Sequence, residues 1–359
     1  MKSGGAAATN WRLIMTAAFI LNKELVQFRL NLKDPFLFAG HHFDAYPAGN
    51  ADMAPVAINR PVDWGQDFNR EAPFRMYHGD TVPGFPAHPH TGFETVTIVE
   101  QGYADHFDSR GASGRYGEGD VQWLTTGAGV QHSEMFPLLS TEHDNPLELF
   151  QLWLNLPEKD KQAPAAYKML WHEEIPVIHA QDADGHAYSV KVIAGRFGDT
   201  VALSPTPHSW ANTPSNGVNI FMLNLAPHAR LNLPASVAGM TRFAYLFEGS
   251  HITLNGERIA YKELVDLDAS VALTLVNGEQ AARILWLEGK PIGEGVEQYG
   301  PFVASSREKL VAAVQAYQQD EFGGWPWGRN DPVFPREQGR IAKFDHGNRI
   351  ELPPNGHNL

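Results

Sequence analysis

From Asp34 onward the chain is cut into short apolar runs separated by turn-forming residues, and this spacing limits the fold more than any other feature. The run FQLWLNL places Phe150, Leu152, Leu154 and Leu156 on one face and Gln151, Trp153 and Asn155 on the other, the period of a strand. TVTIV (Thr95 to Val99) alternates in the same way. HITLNGERIAY centres on Asn255-Gly256, the pair preferred by a two-residue type I′ hairpin, and LTLVNGEQAARILWL repeats the device at Asn277-Gly278. With 33 glycines and 25 prolines to serve such turns, the expectation is an all-β protein.

A length of 359 residues suits two units. The segment from Pro157 to about Ala187 is charged and rich in alanine and proline, and reads as their connection. The halves resemble each other: FETVTIVEQGYADHF and FAYLFEGSHITL align when Gly102 is set on Gly249. His88 and His90 then fall near Ala235 and Val237, so only the first half retains metal-binding side chains. Near the end, Ser305 with Glu308 forms a capping box ahead of Leu310, Val314 and Tyr317 at helical spacing. The expected organisation is an N-terminal extension (1–33), a first barrel (34–180), a second barrel (181–304), and a short C-terminal helix with an irregular tail (305–359).

The chain has no cysteine, which excludes disulfides, thiolate-bound zinc, iron-sulfur clusters and a cysteine nucleophile. Any metal must be held by nitrogen and oxygen. A formal net charge of -13 argues against direct binding to nucleic acid, which needs a basic surface, although contact with a DNA-bound protein stays open. No apolar run reaches the ~20 residues needed to span a membrane. LIMTAAFIL (Leu13 to Leu21) follows Lys2 and Arg12 but lacks a small-x-small cleavage site, so it reads as a structural extension and a cytoplasmic location is expected.

Candidate ligands come in i, i+2 pairs, which project to the same side of an extended chain. His88 and His90 flank Pro89, which drives His88 into the extended region and suits a strand edge or barrel mouth. Sixteen histidines yield about 0.7 such His-x-His pairs by chance, so the pair alone carries little weight. His132-Ser133-Glu134 competes with His42-Phe43-Asp44, His106-Phe107-Asp108 and His172-Glu173-Glu174, and spacing does not choose among them. Gly117, Gly119, Gly127 and Gly129 around the His132 pair suit tight turns and close backbone approach. His41 and His42 read as loop histidines, His106 and Asp108 as an exposed hairpin, and His172, His179 and His186 as solvated linker. Trp123 reads as core.

HPHTGFET (His88 to Thr95) and GDVQWLTTGAGVQHSEM (Gly119 to Met135) resemble the two signature segments of the pirin family of bicupins. DPFLF (Asp34 to Phe38) and YGPFV (Tyr299 to Val303) are similar to further pirin segments, so the resemblance spans roughly residues 34 to 322. It implies two cupin-type β-barrel (jelly-roll) domains packed together, with one metal ion, Fe(II), in the N-terminal barrel. Motif by motif, the implied ligands are His88, His90, His132 and Glu134. Glu94 occupies the place of the fourth ligand in many other cupins, and the resemblance gives it a supporting role in hydrogen bonding instead. Thr91 stands where many relatives carry arginine. The ligand set also suits Mn, Co, Ni, Cu or Zn.

The implied activity is that of a quercetin 2,3-dioxygenase, opening a flavonol ring with O2, with Glu134 also serving as the base that takes the proton of the flavonol hydroxyl. Two adjacent open positions on a six-coordinate ion would suit an organic oxygen and dioxygen together. The expected partners are thus a small aromatic, flavonol-like substrate and O2, with neither nucleic acid nor membrane. The alternative is a metal-dependent, redox-sensing protein-binding transcriptional co-regulator.

Overall fold

A computed structural model describes residues 19–354. Most of the Leu13–Leu21 stretch therefore lies outside the described residues. In chain order the strands begin with β1 (Ile20–Leu25), β2 (Arg29–Asn31) and β3 (Phe36–Tyr46). The first barrel continues with β4 (Gly84–His90), β5 (Phe93–Gln101), β6 (Tyr103–Asp108), β7 (Ser113–Gly117), β8 (Val121–Thr125), β9 (Val130–Met135), β10 (Asn145–Asn155) and β11 (Ala166–Leu170). Next come β12 (Val177–Gln181), β13 (Ala187–Ala194) and a small hairpin, β14 (Arg196–Phe197) with β15 (Thr200–Val201). The second barrel adds β16 (Asn219–Leu225), β17 (Arg230–Leu233), β18 (Thr241–Glu248), β19 (His251–Leu254), β20 (Glu257–Ala260), β21 (Glu263–Leu267), β22 (Leu273–Asn277) and β23 (Ala282–Gly289). A ribbon of β24 (Glu297–Tyr299) and β25 (Phe302–Ala304) precedes the helix α1 (Arg307–Asp320), and β26 (Ile341–Phe344) and β27 (Arg349–Glu351) close the chain.

Strand order shows the internal repeat. The smaller sheet of the first barrel contains β4-β9-β6-β7, and that of the second is β17-β22-β19-β20. The larger sheets share β8-β5-β10-β3 and β21-β18-β23-β16 as their centres. Gly102 and Gly249 sit at the same corner, with φ of +80° and +98°. A Cβ at either would lie 2.7 or 2.8 Å from a carbonyl oxygen at the start of β10 or just ahead of β23, so both corners demand glycine.

The two larger sheets pack face to face. Val96, Trp123, Phe150 and Leu152 from the first meet Ile220, Phe243, Tyr245 and Leu285 from the second in one buried core. Because the apolar face of β10 turns to this seam, its other face, with Gln151 and Trp153, turns into the barrel. The second barrel is filled with aliphatic side chains, including Leu233, Leu254, Leu273 and Leu275. Pairing Leu233 with Leu273 and Leu254 with Leu275 matches the His88–His132 and His106–Glu134 pairs of the first barrel. The counterpart of His88 is thus Leu233, two residues from the Ala235 given by sequence offset.

Several expectations need correction. Residues 20–31 of the N-terminal extension are part of the sheets: β1 pairs with β21 of the second barrel and β2 with β3. The supposed linker contains β11 and β12, which edge one larger sheet each, and the boundary expected at 180 falls inside β12. The tail is not irregular, because β26 adds to β7 and β27 to β26. Its approach is fixed by Arg115, fully buried, which bonds both oxygens of Asp105 at 2.7 Å and the carbonyls of Phe334, Pro335, Arg336 and Gln338. Such long-range pinning leaves no periodic trace in sequence.

Turns divide similarly. Asn255 and Gly256 have φ of +46° and +88° in a two-residue hairpin, as the type I′ reading requires. Asn277-Gly278 joins strands of different sheets, with the Asn277 amide bonding the carbonyls of Leu225, Ala226 and Gln280. The helix cap is Ser306, whose hydroxyl accepts from the Lys309 N–H, while Ser305 binds Glu158.

Candidate metal centre

Strands β4 and β9 pair with His88 opposite His132 and Phe85 opposite Glu134, with an irregularity between Phe85 and His88. The i, i+2 geometry then brings His88, His90 and His132 to one point inside the first barrel, with a ring nitrogen from each within 4.8 Å of the others. Glu134 Oε2 lies 3.8 Å from His132 Nε2.

The protonation states suit metal binding. His88 Nδ1 lies 2.9 Å from the Pro86 carbonyl, which fixes the proton there and leaves Nε2 as a lone pair. That Nε2 is 3.0 Å from His90 Nε2. Two lone pairs at this distance repel unless a proton or cation joins them. His90 Nδ1 and both ring nitrogens of His132 are buried with no hydrogen-bond partner among the described residues. Burial holds His88 down to about 4 and His90 and His132 well below the ordinary range, so all three are neutral near pH 7. The donor set therefore fits a divalent cation of borderline softness.

Burial also pushes the Glu134 carboxyl up, against hydrogen bonds from Thr97 and Gln151. Thr97 Oγ1 donates to Oε1 at 3.1 Å and Gln151 Nε2 to Oε2 at 2.5 Å. Trp153 Nε1 donates to Gln151 Oε1 at 3.0 Å, which orients the amide. The same indole stacks on Phe93 and meets the His90 ring edge-on, closing one side of the site.

Glu94 lies elsewhere. Strand alternation turns it toward the seam, where Trp123 and Thr125 donate to Oε1 at 3.1 and 2.7 Å, joined by Thr206 from the second half at 3.1 Å. Ser209 donates to Oε2 at 2.7 Å. Among the described residues, none of its bonds goes to the three histidines or Glu134, so its support is to the packing of the halves.

The structure draws in residues that spacing set aside. His106 is fully buried on β6 opposite Glu134, its ring 5.4 Å from that of His132. Gln122 Nε2 donates to its Nδ1 at 2.8 Å, Asp108 lies 3.3 Å from its Nε2, and Tyr167 stacks on its ring. His41 and His42 are not loop residues; both sit on β3, with His42 buried among aromatic rings. His172 is not in a solvated linker either, since its Nδ1 accepts from Arg340 at 2.9 Å. Thr97 and Gln151 escaped notice, although polar side chains on the second face of an otherwise apolar strand were a visible signal.

Comparison with known proteins gives the family of the fold. The pirin family profile matches residues 63–154, and the profile of the pirin C-terminal cupin domain matches residues 220–323. A Pseudomonas aeruginosa protein provisionally named a quercetin 2,3-dioxygenase is 39% identical over 278 residues, covering 75% of this chain and 92% of its own. Pirin-1 of Arabidopsis thaliana is 37% identical, covering 67% of this chain and 78% of its own. The crystal structure of a quercetin 2,3-dioxygenase from Acinetobacter baumannii superposes with a TM-score of 0.67 at 26% identity, covering 85% of this chain and 98% of its own. Its two jelly-roll barrels are cupin domains, and the chain belongs to the pirin family.

Proposed function

We propose that the protein is a metal-dependent dioxygenase of the quercetin 2,3-dioxygenase type, with its metal held by His88, His90, His132 and Glu134 in the first barrel. The observation that carries this reading is the convergence of three neutral imidazoles, two buried and one half-buried, on one point beside a carboxylate. A divalent ion there, iron by analogy with the family, supplies a Lewis acid and a redox centre for the reaction of a flavonol with O2.

The protein's own groups have distinct parts. Glu134, the carboxylate beside the three imidazoles, accepts the proton of the flavonol hydroxyl. Gln151 and Thr97 hold its two oxygens in place. The aromatic wall of Trp153 and Phe93 limits water around the histidines, which keeps the electrostatic interactions of the site strong.

Iron-loaded protein incubated aerobically with quercetin is expected to bleach the flavonol absorbance with release of carbon monoxide. His88→Ala and Glu134→Gln should each abolish the bleaching. Equal bleaching by His88→Ala would sink the proposal.

A further inference from the structure

At one end of the seam between the barrels lies a cavity of about 550 Å³. Its floor is a buried polar chain. His41 Nδ1 lies 3.2 Å from the Tyr245 hydroxyl, and its Nε2 lies 3.3 Å from Glu148 Oε1. With Nε2–H directed at Glu148, Nδ1 accepts from Tyr245, and the chain is satisfied within itself. Burial lowers the His41 pKa and raises that of the Tyr245 phenol, which keeps both groups neutral. Aromatic rings form the walls, and two of them, Phe43 and Tyr261, are left 61% and 46% exposed.

The charges around this cavity are not all matched. Arg283 faces Glu100, Glu148 and Glu248, and Arg75 faces Asp44. Lys262 and Arg70 also line the cavity, and neither has a carboxylate partner among the described residues. Arg70 reaches the Gln27 amide, and Lys262 Nζ lies 5.2 Å from the centre of the Tyr261 ring. In a chain with 41 acidic and 28 basic residues, two cations without carboxylates on one cavity run against the overall balance. Lys262 also has a φ of +64°, a conformation that glycine adopts freely and lysine rarely. Lys262 lies in the two-residue turn between β20 and β21, and this conformation sets its side chain beside the cavity.

We propose that the seam cavity binds a small planar aromatic carboxylate, its ring against the aromatic walls and its acid group on Lys262 and Arg70. This site is separate from the metal centre and does not depend on the dioxygenase reading. The probe is 8-anilinonaphthalene-1-sulfonate, an aromatic acid whose fluorescence rises in a dry site, titrated onto the full chain and displaced by benzoate or by benzyl alcohol. Saturable binding is expected, displaced by benzoate but not by the uncharged alcohol. Lys262→Gly suits the existing backbone and should weaken binding about fivefold, the scale of one exposed ion pair. Arg70→Ala gives a second reading of similar size, and His88→Ala should bind the probe as the parent does. Probe binding unchanged in both Lys262→Gly and Arg70→Ala, displacement by benzyl alcohol as effective as by benzoate, or loss of binding in His88→Ala would each overturn the proposal.

Discussion

Replacing Gln151 by leucine tests whether the metal centre depends on the hydrogen bonds that hold Glu134. Among the described residues, the carboxylate is held by two donors, Thr97 on Oε1 and Gln151 on Oε2. The amide is set by Trp153, so its N–H faces the carboxylate without rearrangement. Leucine has nearly the same volume; it removes the donor to Glu134 and also the acceptor of the Trp153 N–H. A hydrogen bond to a charged group contributes about 1.5–3 kcal/mol, and losing it in a fully buried site raises the cost of the anion by that amount. The carboxylate must be ionised to bind a cation, so metal affinity should fall about 10- to 100-fold. Zinc affinity measured by competition with a chromophoric chelator at neutral pH reads this directly, with a thermal melt to show that the fold persists. Affinity within twofold of the parent in Gln151→Leu would refute the reasoning about support. If Glu134→Ala also binds zinc as the parent does, the assignment of Glu134 as a ligand fails with it.

Two further predictions address groups of opposite character. His88 has a folded pKa of about 4 against 6.5 unfolded, so acid protonates the unfolded chain first and stability is lost as pH falls through that window. Urea titrations of metal-free protein between pH 7 and pH 4 should show a loss of roughly 3 kcal/mol from His88 alone, and His88→Leu should flatten the profile; a profile unchanged by that substitution refutes the assignment. Glu94→Gln should leave zinc affinity within twofold yet destabilise the protein by about 1–3 kcal/mol, because a buried carboxylate with four donors, two of them across the seam, is disturbed. A tenfold loss of zinc affinity in that variant would return Glu94 to the metal centre.

Glu94 illustrates what a motif leaves undetermined. HPHTGFET contains three chemically suitable side chains, but the turn at Thr91 and Gly92 separates β4 from β5. Glu94 then falls on the face of β5 that turns to the second barrel. His106 illustrates the converse: in sequence it is one His-x-acid pair among several, and only the pairing of β6 with β9 sets it beside Glu134. His41, Arg70 and Lys262 come from distant parts of the chain, so the seam cavity they line has no sequence signature.

Local chemistry already written in the sequence determined the strand periodicity, the Asn255-Gly256 hairpin, the absence of thiolate ligands and the two histidine-bearing segments. These depend on residues a few positions apart, whose geometry the backbone imposes directly. The tertiary structure decided which face of each strand meets metal, seam or solvent, and which distant chain ends complete the sheets. One residue of register or one bulge reverses such choices, and they are fixed by packing between segments that are far apart in the chain.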